Sequence, residues 1–262
     1  MALRDGRSEE QVLLKTTGLT KAFRGLVALR DQAITLRARE IVGVIGPNGS
    51  CKSTFFNLLS GAFRPDSGDI RLDGQSIIGL SIGEIVRRGI GRAFQVASIF
   101  PSLTVEETML AAVSAHHRQS GRLGARFPLP STRDHAAHCI EMVGLTGKRD
   151  TLSANLSHGD QKLLDIALTL VLEPKVLLLD EPTAGMGPEE RWRVIEKVRE
   201  LWDRQKITVV FIEHDMDIVF RIAPSIRVLS YGRVLAEGTP QEIRTNPAVI
   251  EAYLGTEHEA AA

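Results

Sequence analysis

Gly46-Pro47-Asn48-Gly49-Ser50-Cys51-Lys52-Ser53-Thr54 places small residues, a lysine and two hydroxyls directly after the apolar run Ile41–Ile45. A strand, a loop of small residues and a helix opening at Lys-Ser predict a cradle for phosphate. Backbone N–H groups of such a loop converge on phosphate oxygens. The following helix, with Phe55, Phe56, Leu58 and Leu59, adds the positive end of its dipole. Lys52 is placed to reach β- and γ-phosphates, and the Ser53 hydroxyl to ligate magnesium. One position departs from the pattern: Cys51 stands where the last glycine of such a loop belongs. A second apolar run, Val176–Leu179, ends in Asp180-Glu181-Pro182. A strand through the core delivers that acidic pair to the sheet edge where the loop also lies. Asp180 then suits a magnesium shell, and Glu181 suits a general base that polarises an attacking water.

The elements that must position these groups follow from the apolar pattern. Ile41–Ile45, Val176–Leu179 and Val209–Ile212 are short, β-rich and flanked by polar or turn residues, as buried strands of a largely parallel sheet are. After Gly187-Pro188-Glu189-Glu190, a first turn by composition, Val194, Ile195, Val198, Leu201 and Trp202 recur at helical spacing. Hairpin signals sit at Asp73-Gly74 and Tyr231-Gly232. From about Phe94 to Leu172 the pattern turns helical. Thr104-Val105-Glu106-Glu107 fits a capping box ahead of Met109, Leu110 and Val113, and a loop rich in Arg, Gly and Pro follows from Gln119 to Arg133. An α/β core with an antiparallel β edge and an inserted helical subdomain is the simplest account.

Composition narrows the function. The chain has 262 residues, and its 32 Lys plus Arg balance 32 Asp plus Glu, so no basic excess argues for nucleic acid. Cys51 and Cys139, far apart, give no disulfide framework and suit a reducing cytosol. The polar start, Met1 to Gln11, holds no apolar signal core, and no apolar run approaches the roughly 20 residues that cross a bilayer. A membrane role must therefore come through partners. His116, His117, His135 and His138 cluster in the helical region without a matching ligand set for zinc, and read as a solvated helix face.

Further motifs stand in a particular order: Phe23 in Thr20-Lys21-Ala22-Phe23, Gln95 in Arg92-Ala93-Phe94-Gln95, Leu156-Ser157-His158-Gly159-Asp160, and His214 in Phe211-Ile212-Glu213-His214-Asp215. With the loop and the acidic pair, this order resembles the ATP-binding-cassette (ABC) family over nearly the whole chain. The resemblance implies a P-loop NTPase (RecA-like) core at about 11–93 and 173–235, a helical subdomain at 94–172 and a C-terminal extension at 236–255. The single domain would span 11–255, with flexible tails at 1–10 and 256–262.

It also implies roles. Phe23 stacks on adenine, Gly46 to Thr54 wrap the phosphates of ATP, and Gln95 contacts Mg2+ and water beside Ser53 and Asp180. Glu181 and His214 act on the γ-phosphate, while Ser157 and Gly159 bind the γ-phosphate held by a second ATPase subunit in a head-to-tail dimer. The ending Asn246-Pro247-Ala248-Val249-Ile250-Glu251-Ala252-Tyr253-Leu254-Gly255 is similar to the larger ATPase subunit of bacterial branched-chain amino-acid importers. That implies two transmembrane permeases, a periplasmic binding protein and a place at the cytoplasmic face of the inner membrane. Urea or short-amide importers and the lipopolysaccharide-export ATPase share these features, and a soluble cassette protein is a third reading. Three departures, Cys51, Asp160 in place of glutamine and Gly187 in place of an acid or amide, lead us to expect slower sites than the family norm. A thiol beside Lys52 at a helix N-terminus is further expected to have a depressed pKa.

Overall fold

The structure, a computed structural model, describes residues 11–93, 99–117 and 129–259, with side chains to residue 253. Its centre is a six-stranded sheet in the order β11-β10-β4-β9-β8-β7. The strands are β4 (Ile41–Ile45), β7 (Ile90–Ala93), β8 (Val176–Asp180), β9 (Thr208–Ile212), β10 (Ser225–Ser230) and β11 (Arg233–Gly238). All neighbours are parallel except the edge hairpin β10-β11. Tyr231 and Gly232 turn that hairpin with φ of 46° and 72°, the pair of positive values a two-residue turn demands. A second, antiparallel sheet holds β1 (Val12–Phe23), β2 (Leu26–Gln32), β3 (Thr35–Arg37), β5 (Ser67–Leu72) and β6 (Gln75–Ser76).

Because the central strands are buried on both faces, their side chains divide between two cores. Ile41, Ile45, Leu177, Leu179, Val209 and Phe211 face α6 (Pro188–Gln205), α7 (Met216–Ile222) and the helical region. Val42, Val44, Val176, Leu178, Val210 and Ile212 face α1 (Lys52–Leu59) and the antiparallel sheet. Phe55 and Phe56 of α1 are fully buried there, worth roughly 1.5–3 kcal/mol each. Gly43 lets α7 approach closely: a Cβ there would lie 2.8 Å from Val219.

The helical region comprises α3 (Val105–His116), α4 (Pro130–Met142) and α5 (His158–Leu170), with α2 (Ile82–Arg88) before it. Thr104 and Glu107 form the expected capping box on α3. Met109, Val113, Ala136, Cys139, Ile140, Leu163, Leu164 and Ala167 fill the space between these helices. His117 Nε2 lies 3.2 Å from His135 Nδ1. Cys139 belongs to the core rather than to a solvated face, and burial, with Glu173 nearby, pushes its thiol up to about 12. Among the described residues no group of three or more His, Cys, Asp or Glu could hold a metal, and no helix is long and apolar enough to cross a membrane.

The chain closes with α8 (Pro240–Thr245) and α9 (Pro247–Glu259). Helix α9 runs on through Gly255 into the segment expected to be a tail.

Candidate functional site

Strand registry assembles the site. Val44 of β4 and Asp180 of β8 both pair with Ile212 of β9, and Ala93 of β7 pairs with Leu179. The chain therefore leaves four adjacent strands at one edge, carrying the loop from Gly46, the Asp180-Glu181 pair and His214. This is where ligands of open parallel sheets bind.

The loop itself is tightly made. Gly46, with φ 154°, passes so near β10 that a Cβ would lie 2.0 Å from the Leu229 carbonyl oxygen. Gly46, Pro47 and Ser50 are buried, Asn48, Gly49 and Ser53 are exposed, and Thr54 is half-buried. The Lys52 ammonium turns back into the hollow of its own loop. It donates to the carbonyls of Gly46 at 2.8 Å and Pro47 at 3.2 Å, and to Ser50 Oγ at 3.4 Å. Burial holds its pKa below the usual lysine value, while Glu181, Cys51 and Asp180 oppose that shift and so lie within electrostatic reach. Tyr253 of α9 hydrogen-bonds the backbone of Gly46, tying the C-terminal extension to the loop.

Cys51 is the N-cap of α1 at φ 67°, ψ 30°, the left-handed conformation. A residue with a Cβ adopts it at a cost of about 1–2 kcal/mol. Its thiol donates to the Gly49 carbonyl at 3.3 Å. The expectation of a depressed thiol pKa is overturned. Burial raises it, and the opposing pull of Lys52 is the smaller effect.

The two acids have different surroundings. Asp180 Oδ2 accepts from Arg92 at 2.7 Å, with side chains only 10% and 8% exposed. Lys162 of α5 reaches the Asp180 carbonyl at 3.5 Å. Glu181 takes φ 43°, strained for a side chain of its size, and its amide donates to the Ile212 carbonyl at 3.0 Å. That turn carries its carboxylate to His214, Oε1 to Nε2 2.7 Å. The exposed Ser53 hydroxyl and the Asp180 carboxylate are hard oxygen donors on separate elements. This set suits Mg2+, which takes one or two protein oxygens plus substrate phosphates rather than a closed protein cage.

Ser157 caps α5, accepting from the Asp160 amide at 3.3 Å. The Gly159 N–H points at Glu190 of α6, donating to Oε1 at 2.9 Å. A Cβ on Gly159 would lie 2.5 Å from Glu190 Cγ. Hydrogen bonding from Ser157, reinforced by the Gly159 amide, holds Glu190 below the usual carboxylate range. Asp160 does not present a bare anion: it is 1% exposed and paired with Lys148 and, at 2.9 Å, with Arg193. Gly187 is the N-cap of α6. Phe23, at the end of β1, is partly exposed and meets Phe63 edge to face at 5.3 Å between ring centroids. Gln95 lies outside the described residues.

Three residues at this edge have no role that the sequence alone assigns: Arg92, Glu190 and Glu213. The buried Glu213 accepts from the Thr183 amide at 3.0 Å and hydroxyl at 2.6 Å, and from the His214 amide at 3.1 Å. It thus joins the turns that follow β8 and β9. An acid inside the Phe211 to Asp215 motif is the available signal for Glu213.

Known proteins resemble this chain in sequence and in fold. Residues 29–184 match the family model for ABC transporters, and residues 233–259 match that for branched-chain amino acid ATP-binding cassette transporters. The chain is 41% identical over 254 residues to the high-affinity branched-chain amino acid transport ATP-binding protein LivG of Salmonella typhimurium, covering 94% of this chain and 98% of that protein. It is 39% identical over 250 residues to BraF of Pseudomonas aeruginosa (93% and 98% covered), and 31% identical over 249 residues to the lipopolysaccharide export protein LptB of Acidithiobacillus ferridurans (94% and 98%). The ADP conformation of MJ1267, an ATP-binding cassette of an ABC transporter, superposes with a TM-score of 0.83 at 28% identity, covering 94% of this chain and 99% of that one. A dimeric structure of the bacterial cassette MJ0796 gives 0.73 at 26% identity, with 87% and 99% covered. Its loop, its acidic strand end and these matches together place the chain in the ABC transporter family, as an ATPase cassette of the P-loop NTPase fold.

Proposed function

We propose that this chain hydrolyses ATP to drive import of branched-chain amino acids, as one of two cassettes joined head to tail under two permeases. A periplasmic binding protein would deliver the substrate, and the cassette would sit at the cytoplasmic face of the bacterial inner membrane. The observation that carries this reading is the match of residues 233–259, together with LivG and BraF over nearly the whole chain. LptB, at 31%, is less similar.

In this reading Gly46 to Thr54 wrap the phosphates of ATP, Lys52 leaves its own carbonyls for the β- and γ-phosphates, and Phe23 stacks on adenine. Mg2+, held by Ser53, Asp180 and Gln95, would neutralise the phosphate oxygens. Glu181 takes a proton from water as the water oxygen bonds the γ-phosphorus and the bond to the bridging oxygen of ADP breaks. His214, now bonded to Glu181, turns its Nε2 to the γ-phosphate. Ser157 and Gly159 contact the ATP of the second cassette. Two ATPs between the cassettes favour the closed dimer, and closure pulls on the permeases.

The test is uptake. The chain, its partner ATPase and permeases are reconstituted in liposomes with the binding protein, and ATP-driven entry of labelled leucine is measured. Entry of urea instead of leucine would overturn the substrate and leave the ATPase. No ATP hydrolysis would overturn both.

A further inference from the structure

Arg92 lies in β7, three residues before Gln95 in sequence, and its side chain is 8% exposed. One terminal nitrogen of its guanidinium donates to Asp180 Oδ2 at 2.7 Å. The other donates to Asn57 Oδ1 at 2.6 Å and to Ser60 Oγ at 3.2 Å. The guanidinium carbon stands 5.9 Å from the centre of the Phe56 ring. Phe56 and Asn57 belong to α1 and Ser60 is its C-cap, and the same helix carries Lys52 and Ser53 in its first turn. A single buried cation thus ties the end of β8 to the helix that leaves the phosphate loop.

The two oxygen donors suited to Mg2+, Ser53 and Asp180, sit at the ends of these two elements. Mg2+ demands near-ideal octahedral geometry, so its affinity depends on how well separate elements hold their oxygens in register. Residues that orient metal-shell carboxylates matter almost as much as the ligands themselves. A planar guanidinium bonds several partners in fixed directions at once, which a lysine ammonium cannot copy. Arg92 has the partners such orientation needs, with a carboxylate on β8 and an amide and a hydroxyl on α1.

We propose that Arg92 is a positioning residue for metal-assisted nucleotide binding. It holds the Asp180 carboxylate in register with α1 and so sets how much Mg2+ strengthens the binding of ATP. It acts through Asp180 and need not touch the nucleotide. The proposal rests on the reading of Asp180 as part of the magnesium shell.

The experiment measures equilibrium binding of ATP to the purified full chain, once with Mg2+ and once with EDTA. The ratio of the two affinities is the readout. Asp180→Asn gives the ratio with the metal limb lost. Arg92→Lys, which keeps the charge and loses the fork, is expected to cut the ratio about tenfold or more while leaving the affinity in EDTA unchanged. Combining the two substitutions is expected to add nothing to the loss from Asp180→Asn, as for residues acting through one another.

A merely structural Arg92 would weaken binding equally in both media, or lower the melting temperature with the ratio intact, and either result overturns the proposal. If Arg92→Lys does not fold, the pair Asn57→Ala and Ser60→Ala frees the guanidinium from α1 and leaves its bond to Asp180. That variant must also lower the ratio, and an unchanged ratio overturns the proposal. Wild type that binds no ATP would instead overturn the proposed function. Asp180→Asn with a full magnesium effect would remove the metal reading of Asp180 and this proposal with it.

Discussion

Glu181 Oε1 lies 2.7 Å from His214 Nε2, so the ends of β8 and β9 are joined by the two side chains assigned to the γ-phosphate. The backbone contributes too, because Glu181 reaches His214 from a φ of 43°. Replacing Glu181 by Gln keeps the size and the hydrogen bonding and removes the base. Phosphate release should fall by about 10²–10⁴-fold, the usual worth of a general base, while ATP still binds. Turnover at the wild-type rate would take Glu181 out of that role.

Cys51 makes the opposite kind of prediction. Its left-handed torsions, φ 67° and ψ 30°, are ones glycine adopts without strain. Relief of the torsional strain in Cys51→Gly adds to the stability of the fold. Removing the Cβ and sulfur from the place where the loop backbone hugs phosphate should tighten ATP binding roughly tenfold, the equivalent of about 1.4 kcal/mol. It should also raise the ATPase rate of the assembled transporter. Equal affinity and rate in the two proteins would dismiss the idea that this position slows the site. Because burial raises the thiol pKa, alkylation of Cys51 near neutral pH should be slower than that of an exposed cysteine peptide.

The central strands were legible because a strand buried on both faces must be apolar throughout, as Val176–Leu179 is. The long β1 was not: bulges between Leu19 and Lys21 and between Thr17 and Thr20 break the alternation that marks a strand. At the site, the torsion at Cys51 could be anticipated from the loop pattern, since only its backbone mattered. The direction of its pKa depended on packing around the loop. Arg92 and Glu190 stayed hidden for a similar reason. Their partners Asp180 and Gly159 lie 88 and 31 residues away, and no local spacing links them. The charge of Asp160 was legible, but its neutralisation by Lys148 and Arg193 was not.

Glu213 provides a pH test. Burial, opposed by hydrogen bonds from Thr183, His214 and Asp215, raises its pKa above the ordinary carboxylate value. The folded state then holds the proton more tightly than the unfolded chain. The resulting stability is complete below the unfolded value of about 4.5 and is lost as pH rises through the folded one. Glu213→Gln cannot ionise and should escape that loss. The melting temperature of the variant minus that of wild type should therefore rise with pH across this window. A difference independent of pH would show that Glu213 titrates alike in both states.

Glu190 bears on dimer closure. Its carboxylate already accepts from the Gly159 amide at 2.9 Å and from Ser157, the two groups assigned to the partner's γ-phosphate. Two anions cannot share those donors, so the proposed head-to-tail closure would displace Glu190. A hydrogen bond to a charged group is worth about 1.5–3 kcal/mol, enough to shift the ATP needed for pairing tenfold or more. Glu190→Ala, placed in the Glu181→Gln background to prevent turnover, should pair with the second cassette at lower ATP in sedimentation experiments. Should the variant need more ATP, Glu190 would be a brace that shapes the α5 terminus for its ligand, and the competition argued from its position would be excluded.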